Sequence, residues 1–388
     1  MIALKGNWNY PTKVWAGPGR IAELPAACEA AGMKRPLIVT DAGLAGLPMI
    51  ANALSLLKTN AIYGGVQGNP TARHVEDGLK IYREGGHDGV VAFGGGSALD
   101  VGKAIAFMAG QTRPLWDFED IGDWWTRADP KGIAPVVAVP TTSGTGSEVG
   151  RASVITNEET HEKKIIFHPK MMPEIVIADA ELSVGLPAPI TAATGMDAFV
   201  HCFEAFCAPG FHPLADGVAM NGMLLIKQAL PRAVADGKDI EARALMLAAA
   251  SMGATAFQKG LGAVHSIAHP LSAHYDTHHG LANAVLLPYV LAFNLPALED
   301  KLKPLARLLD LPGGDAKAVL DWILAFRQTL KIPHTLSEIG IPEDKAEIVG
   351  RDAFRDPSTG GNSRAITEAD MTRIFRAARI GDFALAAG

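Results

Sequence analysis

Side chains able to hold a metal ion recur at helical spacing in the second half of this chain. Asp197 and His201, in Thr194-Gly195-Met196-Asp197-Ala198-Phe199-Val200-His201, stand four residues apart. That spacing puts both on one face of a helix. His265 and His269, in Gly262-Ala263-Val264-His265-Ser266-Ile267-Ala268-His269, repeat it, and Tyr275-Asp276-Thr277-His278-His279-Gly280 adds two more imidazoles. An even spread of the 12 histidines over 388 residues would leave about one in 32 positions, whereas five fall between 265 and 279. A single histidine on an apolar face is usually a hydrogen-bonded core residue. Paired spacing with an acidic partner is what points to a metal. One carboxylate among imidazoles suits Fe²⁺, Zn²⁺, Ni²⁺ or Mn²⁺ rather than Mg²⁺ or Ca²⁺, and the donor types do not choose among the four. A set without thiolates favours an open, catalytic centre over a closed structural one.

A second set of residues suits a nucleotide. The β-rich run Gly89 to Phe93 leads into Gly94-Gly95-Gly96-Ser97, and Ala98 to Met108 has helical character. Glycines let a diphosphate approach the backbone, and the following helix offers it free N–H groups. The run departs from G-x-G-x-x-G/A, with Leu99 at the last position, so a plain tight turn explains it equally well by itself. Pro140-Thr141-Thr142-Ser143-Gly144-Thr145-Gly146-Ser147-Glu148 follows another strand and concentrates hydroxyls, as a helix-capping turn would too. Asp41 ends the strand Pro36 to Thr40; it can bind the two hydroxyls of an adenosine ribose, favouring NAD over NADP, or cap the next helix.

The elements that must position these groups differ between the halves. From 36 to about 180, short β-rich runs (36–40, 61–63, 89–93, 134–139, 174–178) alternate with helical patterns, which reads as βαβ units around a mainly parallel sheet. After Leu186-Pro187 the runs give way to Ala-, Leu- and Met-rich helical stretches such as 240–257. The expected domains are 1–183, α/β and dinucleotide-binding, and 184–388, all-helical and metal-binding, with a cleft between them as the default place for a site. Composition agrees with two buried cores: 48% of residues are hydrophobic. A net charge of −6, with no Lys/Arg run, makes nucleic acid an unexpected partner. The start MIALKGNWNYPTKVWAG lacks the pattern of a leader peptide. No stretch of about 20 apolar residues runs free of polar groups, so no membrane association is expected. Cys28, Cys202 and Cys207 are too few and too irregular for a disulfide framework, and the expected compartment is the cytoplasm.

With these residues in view, the chain resembles the iron-containing (group III) alcohol dehydrogenases over nearly its full length. The resemblance is carried by Gly94-Gly95-Gly96-Ser97 with Asp100 and Lys103, by Pro140-Thr141-Thr142-x-Gly144-Thr145-Gly146-Ser147-Glu148, and by Gly195-Met196-Asp197-Ala198-x-x-x-His201. Gly262-x-x-His265-x-x-Ala268-His269-Pro270 and His279-Gly280 complete it. It implies a dehydroquinate-synthase-like fold, an α/β N-terminal dinucleotide-binding domain followed by an all-α metal domain. It implies the metal ligands Asp197, His201, His265 and His279, with His269 beside the metal in the substrate pocket. Cofactor positions fall on Asp41, Asn69, Gly95, Gly96, Ser97, Thr141, Thr142, Leu182 and Lys163, or Lys164 in place of the last. Family habit implies a homodimer or higher homo-oligomer. Departures are Gly68 before Asn69-Pro70-Thr71, Gly150 for a frequent Thr, Ser272 for a usual Gly, and the extra imidazole of His278.

The activity this implies is metal-dependent, NAD-linked hydride transfer between a small primary alcohol (or hydroxy acid) and nicotinamide, reversible as aldehyde reduction. Fe²⁺ is the implied ion, with Zn²⁺ the other candidate, and His269 either relays the released proton or only orients a ligand. A dehydroquinate-synthase-like or glycerol-dehydrogenase-like metal/NAD enzyme is the alternative. A metallohydrolase leaves the glycine loops unexplained, and a non-catalytic nucleotide-binding protein leaves the histidines unexplained. Thr367-x-x-Asp370 reads as a capping box that starts a helix.

Overall fold

The computed structural model describes residues 12–160 and 162–388; residues 1–11, part of the stretch weighed against a leader, lie outside them. The chain divides into two compact units between Gly185 and Leu186.

In the first unit β1 (Lys13–Ala16), α1 (Leu24–Ala30), β2 (Pro36–Asp41), α2 (Pro48–Leu57), β3 (Ile62–Val66), α3 (Ala72–Glu84), β4 (Gly89–Gly94), α4 (Gly96–Met108) and β5 (Val136–Pro140) follow in order. A hairpin of β6 (Ala152–Asn157) and β7 (Glu162–Phe167) precedes β8 (Ile175–Ala178). Six strands form one parallel sheet in the order β1-β8-β5-β4-β2-β3, while β6 and β7 pair antiparallel by themselves. Strands β2, β4, β5 and β8 are covered on both faces, which is why they read as unbroken apolar runs rather than alternating ones. Ile38, Val91, Phe93, Val137, Val139 and Ile177 pack with Leu24, Ala27 and Ile50 of α1 and α2 on one side. On the other, α4 lies against β4, its residues from Ala98 to Met108 buried except for Asp100.

The expected βαβ alternation is present. It missed β1, a four-residue edge strand, and the hairpin, whose strand residues are mostly half-exposed and half of them polar.

The second unit is entirely helical among its described residues: α5 (Ala188–Cys207), α6 (Pro213–Ala235), α7 (Ile240–Ala256), α8 (Ala263–Tyr275), α9 (His279–Leu308), α10 (Ala316–Thr329), α11 (Ala346–Arg355), α12 (Glu368–Ile380) and α13 (Phe383–Ala387). α5 packs against α6, α7 and α9 and supplies Met196, Phe199, Val200 and Phe203 to the core. Helix α9 is 30 residues long, and by length and composition alone it could cross a bilayer, which the sequence reading did not anticipate. Its apolar window is mostly buried within the unit, and Asn283 and Asn294 interrupt it, as suits a core helix. The capping box forms as expected: Thr367 Oγ1 accepts from the Asp370 N–H and the Asp370 carboxylate from the Thr367 N–H, starting α12.

Candidate metal centre and cofactor loops

Helices α5, α8 and α9 bring the predicted metal residues together. Asp197, His265 and His279 each offer one donor atom, and the three atoms lie within 4.8 Å of one another. Asp197 Oδ1 is 3.9 Å from His265 Nε2 and 3.7 Å from His279 Nε2. His201, one turn along α5 from Asp197, has Nδ1 4.0 Å from Asp197 Oδ2, and its ring stacks on His265 with centroids 4.6 Å apart. Asp197, His201 and His265 are buried, and His279 is half-buried. Gly280 explains how α9 comes so near: a Cβ there would stand 2.6 Å from the Ala193 carbonyl of α5 and would lever His279 away. Of the two adjacent imidazoles, His278 is the N-cap of α9, its Nδ1 accepting from the Leu281 N–H, whereas His279 reaches Asp197.

Three partners of this cluster were not read from the sequence. The buried Glu204, on the α5 face that carries Asp197 and His201, accepts from His265 Nδ1 at 2.6 Å and from the Val264 N–H at 2.7 Å. The Nδ1 proton of His265 is thereby fixed and its Nε2 lone pair aimed at the cluster, the outer arrangement that metal-binding histidines use. Burial alone would push the His265 pKa down, but hydrogen bonding to Glu204 and the carboxylates of Glu204, Asp197 and Asp356 raise it. The second is Asn283, one turn after His279. Its amide nitrogen lies 2.7 Å from Asp197 Oδ1, 3.2 Å from His265 Nε2 and 3.1 Å from His279 Nε2, and its buried Oδ1 has no hydrogen-bond partner. A carboxylate oxygen and two ring nitrogens converge on this one amide group, which has only two N–H hydrogens to offer them. These donors, buried and preoriented, fit a divalent ion.

Asp356 is the third. Its Oδ2 is 2.7 Å from His269 Nδ1, and its Oδ1 accepts from the Ser358 N–H at 2.8 Å. Burial would raise this carboxyl, yet His269 and the Ser358 hydrogen bonds hold it below the ordinary range, so it stays ionised. His269 therefore presents Nε2 on its free side, with its ring stacked on His279 at 5.3 Å.

In the α/β unit, the proposed cofactor residues other than Lys163 lie at or beyond the carboxyl ends of β2, β3, β4, β5 and β8, the edge at which parallel sheets bind ligands. Gly94 pairs with Pro140 in register, and the Thr141 N–H donates to the Gly94 carbonyl at 3.0 Å, so the glycine and hydroxyl loops leave the sheet side by side. Their contact is too close for side chains: a Cβ on Gly96 would fall 2.5 Å from Thr145 Cγ2, and one on Gly95 3.3 Å from Thr142 Cγ2. Ser97 follows in the first turn of α4. Asp41 Oδ1 accepts from the Leu44 N–H at 3.0 Å, closing a turn, while α2 starts at Pro48 with Leu47 as its N-cap, so Asp41 does not cap that helix. Leu182 lies in the turn after β8. Asn69 has φ +49° in the loop before α3, and the Pro70 carbonyl accepts from the Thr156 N–H at 2.7 Å. Lys163 pairs with Thr156 across the hairpin. Lys164, on the opposite face, is held by Glu119 at 3.3 Å and Glu162 at 2.8 Å.

Residues 11–180 match the model of the iron-containing alcohol dehydrogenases, and residues 191–379 match that of the C-terminal part of the Fe-containing alcohol dehydrogenase family. The chain belongs to the iron-containing alcohol dehydrogenase family. At the family level it is a metal- and NAD-dependent oxidoreductase of small alcohols and aldehydes. Among the relatives of this family member, 4-hydroxybutyrate dehydrogenase of Cupriavidus necator is 39% identical over 380 residues, covering 94% of this chain and 98% of that protein. The NAD-dependent methanol dehydrogenase of Bacillus methanolicus is 34% identical, covering 95% and 99%. A crystal structure of 1,3-propanediol oxidoreductase superposes with a TM-score of 0.91 at 35% identity, covering 97% of this chain and all of that one.

Proposed function

We propose that this member of the family is an NAD-linked alcohol dehydrogenase and aldehyde reductase acting on a small primary alcohol or hydroxy acid, with iron as its metal. Asp197, His201, His265 and His279 are the proposed ligands. The observation that carries the reading is the convergence of Asp197, His265 and His279 around one point, with His265 turned toward it by Glu204. An ion held there would supply Lewis acidity, which for ligated water lowers the pKa from 15.7 to about 7 and sets the scale for an alcohol hydroxyl.

The chain's own residues do the rest. His269 Nε2, left available because Nδ1 is bonded to Asp356, would take the proton of a bound alcohol's hydroxyl and return it in the reductive direction, and nicotinamide, when bound, would supply the hydride chemistry. Asp41, Asn69, Gly95, Gly96, Ser97, Thr141, Thr142, Lys163 and Leu182 are the proposed cofactor contacts, in a dinucleotide domain spanning 1–183 that precedes a metal domain spanning 184–388 in a dehydroquinate-synthase-like fold. Lys163 is preferred to Lys164 because two carboxylates already engage the latter. Asp41 repels a 2′-phosphate and so favours NAD over NADP. The substrate class is supported by the relatives, whose names span methanol and 4-hydroxybutyrate, both carrying a primary alcohol. A cytoplasmic homodimer or higher homo-oligomer completes the reading. In elemental analysis of purified protein, His265→Ala and Asp197→Ala should each lose the bound metal; stoichiometric metal in either variant would refute the ligand assignment.

A further inference from the structure

Helix α8 carries His265 and His269, yet its own sequence does little to brace the turns that hold them. Gly262, the N-cap, brings no side chain to the first free N–H groups. Pro270 removes the intrahelical bond to the Ser266 carbonyl, in the turn that separates the two histidines. The bracing comes instead from the segment that follows α11. A 3₁₀ turn spans Pro357–Gly361, with Asp356 and Asn362 flanking it. Asn362 Oδ1 accepts from the Ala263 N–H at 3.3 Å, Thr359 Oγ1 lies 2.8 Å from Ser266 Oγ, and Asp356 Oδ2 is 2.7 Å from His269 Nδ1. Each step of three residues back along the segment is thus a step of three forward along α8. The match has a simple cause: a 3₁₀ turn repeats every three residues, and residues three apart share a face of an α-helix. Gly361 permits the approach, since a Cβ there would fall 2.0 Å from the Leu261 carbonyl.

We propose that the segment 356–362 is a strap that sets the register of α8, which makes Thr359 and Asn362 positioning residues for the imidazoles of His265 and His269. The proposal rests on the metal-site reading above. Asn362 is itself tied down: its amide pairs reciprocally with that of Asn294 on α9, at 2.9 and 3.0 Å, and donates to the Arg364 carbonyl at 2.7 Å. One side chain therefore links the start of α8 to the helix that carries His279. Thr359 donates to the Ala353 carbonyl at 2.7 Å, which anchors the middle of the strap on α11. Glu204 fixes the first turn of α8 from α5, through the Val264 N–H and His265 Nδ1, and Thr359 does the same for the next turn through Ser266. Slack in α8 moves both imidazoles together, and misplacing a reacting group by about 1 Å can cost on the order of 100-fold in rate.

In the test, Co²⁺ is titrated into the full chain after a chelator has stripped it, and the ligand-field absorption of the bound ion reports the placement of its ligands. Thermal midpoint, and turnover of the metal-loaded protein with the best alcohol of a panel, are read on the same samples. Thr359→Val, which exchanges the hydroxyl for a methyl, and Asn362→Ala should each weaken Co²⁺ binding about tenfold, shift its absorption bands and lower kcat about tenfold, with KM for NAD within about twofold of the original. Thr359→Ser keeps the hydroxyl and should restore affinity, bands and kcat. Unmoved affinity, bands and kcat in both Thr359→Val and Asn362→Ala would overturn the strap even with a lowered thermal midpoint, since a merely stabilising contact behaves that way. Loss in Thr359→Ser equal to that in Thr359→Val would overturn it as well. Should Asn362→Ala not fold, Thr359→Val and Thr359→Ser decide. Failure of the unaltered chain to bind Co²⁺ would instead remove the metal reading itself.

Discussion

Glu204 shows how one side chain sets the character of the candidate metal centre. Its carboxylate accepts from Nδ1 of His265, so Nε2 is the nitrogen turned toward Asp197 and His279. Losing such an outer partner typically costs 10–100-fold in metal affinity. Glu204→Gln should therefore weaken metal binding about 10–100-fold in a chelator competition, with the fold intact; unchanged affinity would reduce Glu204 to a core acid. Much of this detail was within reach of the sequence. Glu204 is seven residues after Asp197 and Asn283 four after His279, so extending the same helix-face rule would have exposed both. Asp356 is different: it lies 87 residues from His269, and no local spacing links them. That pairing exists only because α8 and the segment after α11 meet in the folded unit.

At the scale of elements, strands buried on both faces announced themselves as apolar runs, whereas the hairpin did not. Its residues 152 to 157 alternate half-buried and buried positions with Ser153 among the latter, and 162–164 are Glu-Lys-Lys. Short, polar, half-exposed strands carry little periodic signal. The turn that joins this hairpin to β8 bears a pH dependence. His168 heads it, Nδ1 accepting from the Lys170 N–H at 3.0 Å, with its ring 5.8 Å from both Phe107 and Trp125. Burial, and secondarily Lys170, hold its pKa below the ordinary imidazole value. The unfolded chain then takes up a proton first as acid is added, so this contribution to stability is complete above pH about 6.5 and is lost as pH falls through the lower folded value. The thermal midpoint should drop on acidification below that point, and less steeply in His168→Asn, which keeps a capping acceptor. His212 and His334, also depressed chiefly by burial, add to the slope in both proteins. Equal slopes would show that His168 is not a source of the loss.

For the whole molecule, two units with separate cores follow from the change of pattern near Leu186, and the sequence carried that change openly because βαβ and all-helical folds bury their apolar residues at different periods. What it could not carry is the interior of each core, including the three thiols. Burial pushes Cys28 and Cys202 up to about 12 and Cys207 further still. Thiols so placed are inert as nucleophiles. A chromogenic disulfide reagent should modify none of them in the native protein and all three after denaturation; rapid labelling of the folded chain would contradict this packing. The central claim concerns catalysis and is tested most directly by NADH absorbance. Protein stripped of metal by a chelator is supplied with NAD and a panel of small primary alcohols and hydroxy acids while Fe²⁺ is titrated in. The account predicts no NADH without the ion and turnover that rises to a plateau at one ion per chain. Full turnover in the stripped protein, or silence across the panel in the loaded one, would contradict it.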